Sequence, residues 1–138
     1  MSLEEHKAIA RRWFAEAWEQ GNLAVADEIF APNFTLSGTP VGPEGPRRNV
    51  TATRAAFPDI RISIEDQIAE GDVVVTRYRG YGTHQGAFFG IPPTGRPVIV
   101  TGIVIWRFAD SKVVEDWTEF DRLGLLQQLE ATPRPQEP

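Results

Sequence analysis

Two side chains in this sequence stand out as candidates for proton chemistry: Asp121, in the run TEFD, and His84, in GTHQG. Asp121 follows a β-rich segment whose alternate residues are Val113, Glu115, Trp117 and Glu119. If Trp117 faces an interior, Glu119 and Asp121 lie on the same side. A carboxylate among apolar walls is desolvated, and its pKa then rises toward a value useful to a general base. Asp121 also precedes RLGLLQQL, so capping a helix is the competing role. His84 titrates in the range suited to proton transfer at neutral pH, against the plainer role of a hydrogen-bonded turn residue. Trp106 and Trp117 offer an aromatic wall for a flat ligand, or ordinary core packing. Arg77 is expected either to pair with Glu115 or Glu119 or to clamp an anion.

Composition narrows the chemistry. The 138 residues contain no cysteine, which excludes thiolate catalysis, disulfides and thiolate metal sites. The two histidines, His6 and His84, are too far apart to suggest metal-ligand spacing, so no metal site is expected. A net charge of −5 argues against a nucleic-acid partner, which would call for a basic face. No apolar run reaches the length of a membrane span, and MSLEEHK reads as helix rather than signal peptide. A cytoplasmic protein without a membrane partner is the expectation.

The elements that must position these residues are read from periodicity. Ser2 and Glu5 form a capping-box signature, followed by an apolar stripe through Ala10, Trp13, Phe14, Ala17 and Trp18 that stops at Gly21. A short second helix over LAVADEIF, a short strand over 33–36, a loop over 38–48 and a helix over 48–57 follow. Ile60, Ile62 and Ile64 alternate with polar residues as in a half-buried strand. Three further strands, from Gly71 to Asp121, are joined too tightly for crossover helices and read as an antiparallel meander. Gly80, Gly82 and Gly102 are the expected bends or bulges. The order predicts one α+β domain over 1–131, helices on the concave face of a curved antiparallel sheet enclosing a pocket, with a frayed Pro-rich tail over 132–138.

The runs GTHQGAFFGIPPTGRPV, GIVIWRF and KVVEDWTEFDRLGLLQQL, with AFPDIRISIEDQIAEGDVVVTR upstream, resemble the SnoaL-like polyketide cyclases. That group lies within the nuclear-transport-factor-2-like superfamily of cone-shaped α+β folds. The resemblance implies a cone with a cavity, no cofactor, and an acid/base Asp at the end of the last strand, which it matches to Asp121. It matches Asn33 to an Asn of the first short strand. It places Ile103 and Ile105 where the group carries polar middle-strand residues. The Arg/Asp pair of the superfamily's epoxide hydrolases and the Tyr and two Asp of its ketosteroid isomerases are not evident.

Two functions follow. One is a cofactor-free enzyme that takes a proton beside a carbonyl, as in aldol ring closure of a small hydrophobic ester. Asp121 and His84 would be catalytic, with Asn33, Trp117, Glu119, Tyr78 and Phe89 as substrate contacts. The other is a non-catalytic binding module for a small apolar ligand. Polar groups converging near Asp121 would favour the first. Phe88, Phe89 and Ile91 read as a pocket lip or a dimer contact, and apolar side chains on the sheet's outer face, together with the resemblance, point to a homodimer.

Overall fold

A computed structural model describes residues 1–130; the tail expected over 132–138 lies outside the described residues. Helix α1 spans Leu3–Arg12. Ser2 starts it with the expected capping box: the Ser2 hydroxyl accepts the Glu5 N–H at 3.1 Å, and Glu5 accepts the Ser2 N–H at 2.6 Å. Acidic residues in its first turn and Arg11 and Arg12 in its last suit the helix dipole. The helix then widens to a π-helical segment, Trp13–Glu19, which buries Trp13, Phe14 and Ala17. Gly21, at φ +74°, ends it. Arg54 supplies the missing C-terminal partners by donating to the Trp18 and Glu19 carbonyls at 2.7 and 3.0 Å.

A single 3₁₀ turn, Leu23–Val25, and a one-turn helix α2, Ala26–Ile29, replace the continuous second helix expected from LAVADEIF. Strand β1, Phe30–Leu36, therefore begins before Pro32. β2 is a two-residue strand, Thr39–Pro40, and helix α3 runs Glu44–Ala56, earlier than expected because Pro43 and Pro46 fit a helix start. The remaining strands are β3 Arg61–Glu70, β4 Val73–Thr83, β5 Pro97–Ala109 and β6 Lys112–Phe120. Helix α4, Arg122–Leu129, closes the described chain.

The sheet has the order β2-β1-β6-β5-β4-β3 and is open at both ends. The α+β class is as expected, but the sheet is mixed: β1 runs parallel to β6, and the other neighbours are antiparallel. The register runs unbroken between β4 and β5 through Gly80, Gly82 and Gly102, and the bulges lie elsewhere. One extra residue, Glu65, interrupts the β3–β4 register, and another, Val114, interrupts β5–β6. Such bulges increase local twist and curvature. Gly80, Gly82 and Gly102 instead permit close approach, since a Cβ there would press on Val100, Phe57 and Tyr78 respectively.

One core joins the first helical arm to the concave face. Trp106 lies at its centre, edge-on to Phe30 at 5.3 Å and Phe108 at 6.2 Å, while Trp13 stands edge-on to Phe30 at 4.8 Å. A smaller cluster of Phe57, Val98, Leu125 and Leu129 holds α4 against β5. There the Gln128 carboxamide donates to the Ile99 carbonyl and accepts the Ile99 N–H, at 2.7 and 2.8 Å. It satisfies the β5 backbone beyond the end of β6.

Candidate active site

A cavity of about 700 Å³ lies between the first helical arm, α3 and the concave face of the sheet. Its walls are mostly aromatic and aliphatic, including Trp13, Phe14, Trp18, Phe57 and Val104. Ser37, Asn49, Thr53, Tyr78, Tyr81, Asp116 and Thr118 bring polar groups to the lining, and Asp116 is its one ionisable carboxylate among the described residues.

Asp116 comes to the cavity through the bulge. Before it, Val113 is fully buried and faces inward. The extra residue at Val114 shifts the alternation by one, so Asp116, Thr118 and Phe120 take the inner face. Each carboxylate oxygen then accepts one hydrogen bond. Trp106, directly across on β5, donates its indole N–H to Oδ2 at 2.8 Å, and Thr118 donates its hydroxyl to Oδ1 at 2.5 Å. Burial pushes the Asp116 carboxyl above its ordinary value, while these two hydrogen bonds pull against that rise. The backbone is held as well, since the Ser37 N–H donates to the Asp116 carbonyl at 2.9 Å.

Tyr78, on β4, also faces the cavity, tilted against Phe14 at 5.5 Å. Burial pushes its phenol up to about 12, with the charge of Asp116 adding to the effect. It is a neutral donor at any ordinary pH. Phe88 and Phe89 are part of the cavity lining. Phe88 and Ile91 bond across a two-residue turn in which Phe89 and Gly90 both have positive φ, 49° and 76°. The Arg122 guanidinium sits 4.2 Å from the Phe89 ring centre and holds the turn toward α4.

The other expected site residues lie elsewhere. Asp121 is the N-cap of α4: its Oδ1 accepts the Gly124 N–H at 2.9 Å, and it is exposed, outside the cavity lining. Trp117 and Glu119 share a face with each other, as expected, but it is the outer face, where Trp117 is 47% exposed. Asn33 is exposed on β1 and does not line the cavity. Ile103 and Ile105 also point outward, and the inner middle-strand positions are Gly102, Val104 and Trp106. Arg77 pairs on the outer face with Asp66 of β3, at 2.6 Å, rather than with a β6 glutamate.

His84 is fully buried behind Phe57 and off the cavity lining. Its Nδ1 accepts the Thr94 N–H at 3.2 Å and lies 3.0 Å from the Thr94 hydroxyl. Accepting that N–H fixes the proton on Nε2, which has no hydrogen-bond partner among the described residues. His84 thus ties down the 84–96 loop, and no group of three or more potential metal-ligating side chains forms among the described residues.

The signal missed in the sequence is the choice between two phases of β6. One phase turns Glu115, Trp117 and Glu119 inward; the other turns Asp116, Thr118 and Phe120 inward. The second hides a single carboxylate and gives it a hydroxyl two residues away, which is the less costly burial.

The sequence pattern described as SnoaL-like polyketide cyclase matches residues 8–129. A nogalonic acid methyl ester cyclase of Streptomyces nogalater is 31% identical over 121 residues, covering 82% of this chain and 89% of that protein. Among solved structures, TsrD of Streptomyces laurentii superposes with a TM-score of 0.87 at 26% identity, covering 96% of this chain and 99% of that one. IdmH of Streptomyces antibioticus superposes with a TM-score of 0.79 at 33% identity, covering 90% and 97%.

Proposed function

The chain belongs to the SnoaL-like polyketide cyclase family, and on that footing we propose that it is a cofactor-free acid–base enzyme acting on a small hydrophobic ester or ketone, with Asp116 as the base. The observation that carries this reading is the single carboxylate in an apolar cavity, held on both oxygens by Trp106 and Thr118. Asp116 takes a proton from the carbon beside a carbonyl. The enolate carbon attacks a second carbonyl within the same molecule, one carbon–carbon bond forms, and the acid form of Asp116 returns the proton to the new alkoxide. The sequence is a net isomerisation and needs no oxidant or reductant. Among the described residues no Lys, Arg or His lines the cavity to pair with an anion, so a neutral ester fits it better than a free carboxylate.

The alternative of a non-catalytic binding module needs only the apolar walls. It gives no reason for a buried carboxylate with two dedicated donors and a phenol facing the same space. The test is solvent exchange. The protein is mixed in D₂O with a panel of neutral hydrophobic methyl β-keto esters, and deuterium entry beside the carbonyl is followed by NMR. Exchange well above the uncatalysed rate, falling as Asp116 is protonated, is expected. Binding of the esters without accelerated exchange would favour the binding module.

The working unit in this reading is a cytoplasmic homodimer. No helix among the described residues is long and apolar enough to cross a membrane. The outer face of β5 exposes Ile99, Ile103 and Ile105, at 47, 44 and 39%. Arg79 on β4 and Glu119 on β6 flank this column. A two-fold axis along β5 lays β4 of one copy over β6 of the other, so the column meets itself while unlike charges meet at its sides.

A further inference from the structure

Removing a proton beside a carbonyl puts negative charge on the carbonyl oxygen, and the group that takes the proton cannot serve that oxygen in the same step. We propose that the Tyr78 hydroxyl donates the hydrogen bond to that oxygen, and that Gly102 is the positioning residue that seats the phenol. The assignment rests on Asp116 as the base.

Three observations support it. The Tyr78 hydroxyl makes no hydrogen bond to any described residue, although Tyr78 lines the cavity. A half-buried phenol without a protein partner, facing a cavity, has a donor left for a ligand. The ring is also fixed from two sides, by Phe14 at 5.5 Å and by the backbone of Gly102. A Cβ at position 102 would overlap the hydroxyl and the near edge of the ring. Gly102 is the only inward β5 position between Val98 and Phe108 without a side chain. The phenol fills that notch over β5.

Register puts donor and base on the same inner face of the sheet, roughly 13 Å apart along the backbone, a gap the two side chains and a ligand span. Tyr78 is opposite Gly102, Gly102 is opposite Phe120, and Phe120 is four residues beyond Asp116 on the same strand. The two groups do not bond each other, yet the charge of Asp116 is felt at the phenol. In this proposal the carbonyl oxygen of the substrate turns toward Tyr78 and the neighbouring carbon toward Asp116.

The test uses the full-length protein and two readouts: deuterium exchange into a hydrophobic methyl β-keto ester, and binding of 2-naphthol, whose oxygen mimics that of an enol. Tyr78→Phe keeps the ring and its packing. It is expected to lower kcat for exchange about 100-fold with KM changed less than about threefold, as for loss of one oxyanion donor. The same change should weaken 2-naphthol binding about tenfold, one hydrogen bond's worth. Asp116→Asn should abolish exchange and leave 2-naphthol bound at least as tightly. Gly102→Ala should reproduce the loss of 2-naphthol affinity, and its fall in melting temperature should disappear when Tyr78→Ala is added. Tyr78→Phe that keeps either readout within about threefold of the parent overturns the donor role. A Gly102→Ala fall in melting temperature that persists without the phenol overturns the seat. Full exchange in Asp116→Asn would instead sink the base, leaving 2-naphthol binding to judge Tyr78 alone.

Discussion

Asp116 is poised by opposed effects. Burial favours its neutral form, and the Trp106 indole and Thr118 hydroxyl favour the carboxylate, with burial the larger. Its folded-state pKa is therefore above its unfolded one. Between the two values the folded protein binds more protons, so Asp116 makes stability decline as pH rises through that window. Above the folded pKa the full cost of the buried charge remains. The difference in urea stability between the parent and Asp116→Asn across pH 3 to 8 should show this slope, since carboxylates with lowered pKa such as Asp59 tilt both profiles the other way. Thr118→Val removes the donor on Oδ1, so the carboxyl should titrate higher still by carbon-13 NMR; an unchanged or lower value would contradict the balance described. Asp121 has the opposite character, an exposed carboxylate whose work is done by one helix N–H. Asp121→Ala should cost about 1 kcal/mol, and Asp121→Asn only tenths, because Asn caps nearly as well. Denaturant midpoints at pH 7 measure both.

The placement of these two aspartates turns on one residue of β6. A strand read with an unbroken period of two puts Val113, Glu115, Trp117, Glu119 and Asp121 on one face, and Val113 is indeed buried. The bulge at Val114 sends the rest of that series outward. The sequence carries no clear mark of it, since Val113 and Val114 are equally apolar and no glycine flags the site. β5 was ambiguous for a related reason. Val98, Val100, Val104 and Trp106 face in while Ile99, Ile103 and Ile105 face out, so hydrophobicity alone cannot choose a face. The capping box and the Gly21 stop were legible because each is a local device with a fixed spacing. The α4 contact depends on tertiary placement, and Gln128 carries a testable part of it. Gln128→Ala deletes both bonds to the Ile99 backbone and should destabilise the protein by about 1–2 kcal/mol in urea titrations. A change below a few tenths would show that water replaces the carboxamide without loss.

Across the whole molecule, the α+β class, the early helices and the β3-to-β6 meander could be read from element order. The parallel pairing of β1 with β6 could not, because it joins segments some 80 residues apart and β1 itself is short. The fold leaves two apolar regions with different destinies, the cavity on the inner face and the outer column of β5. For the outer column, light scattering at micromolar concentration should give twice the chain mass, and Ile103→Glu should reduce it to a monomer while keeping the fold by circular dichroism. A parent protein of monomer mass would reject the dimer. For the cavity, the direct measurement is deuterium exchange into a neutral hydrophobic methyl β-keto ester by Asp116→Asn and Asp121→Asn, side by side with the parent. With Asp116 as the base, Asp116→Asn falls to the rate without enzyme while Asp121→Asn stays within about threefold of the parent, since an exposed cap touches no substrate. Loss of exchange in Asp121→Asn with retention in Asp116→Asn would contradict it.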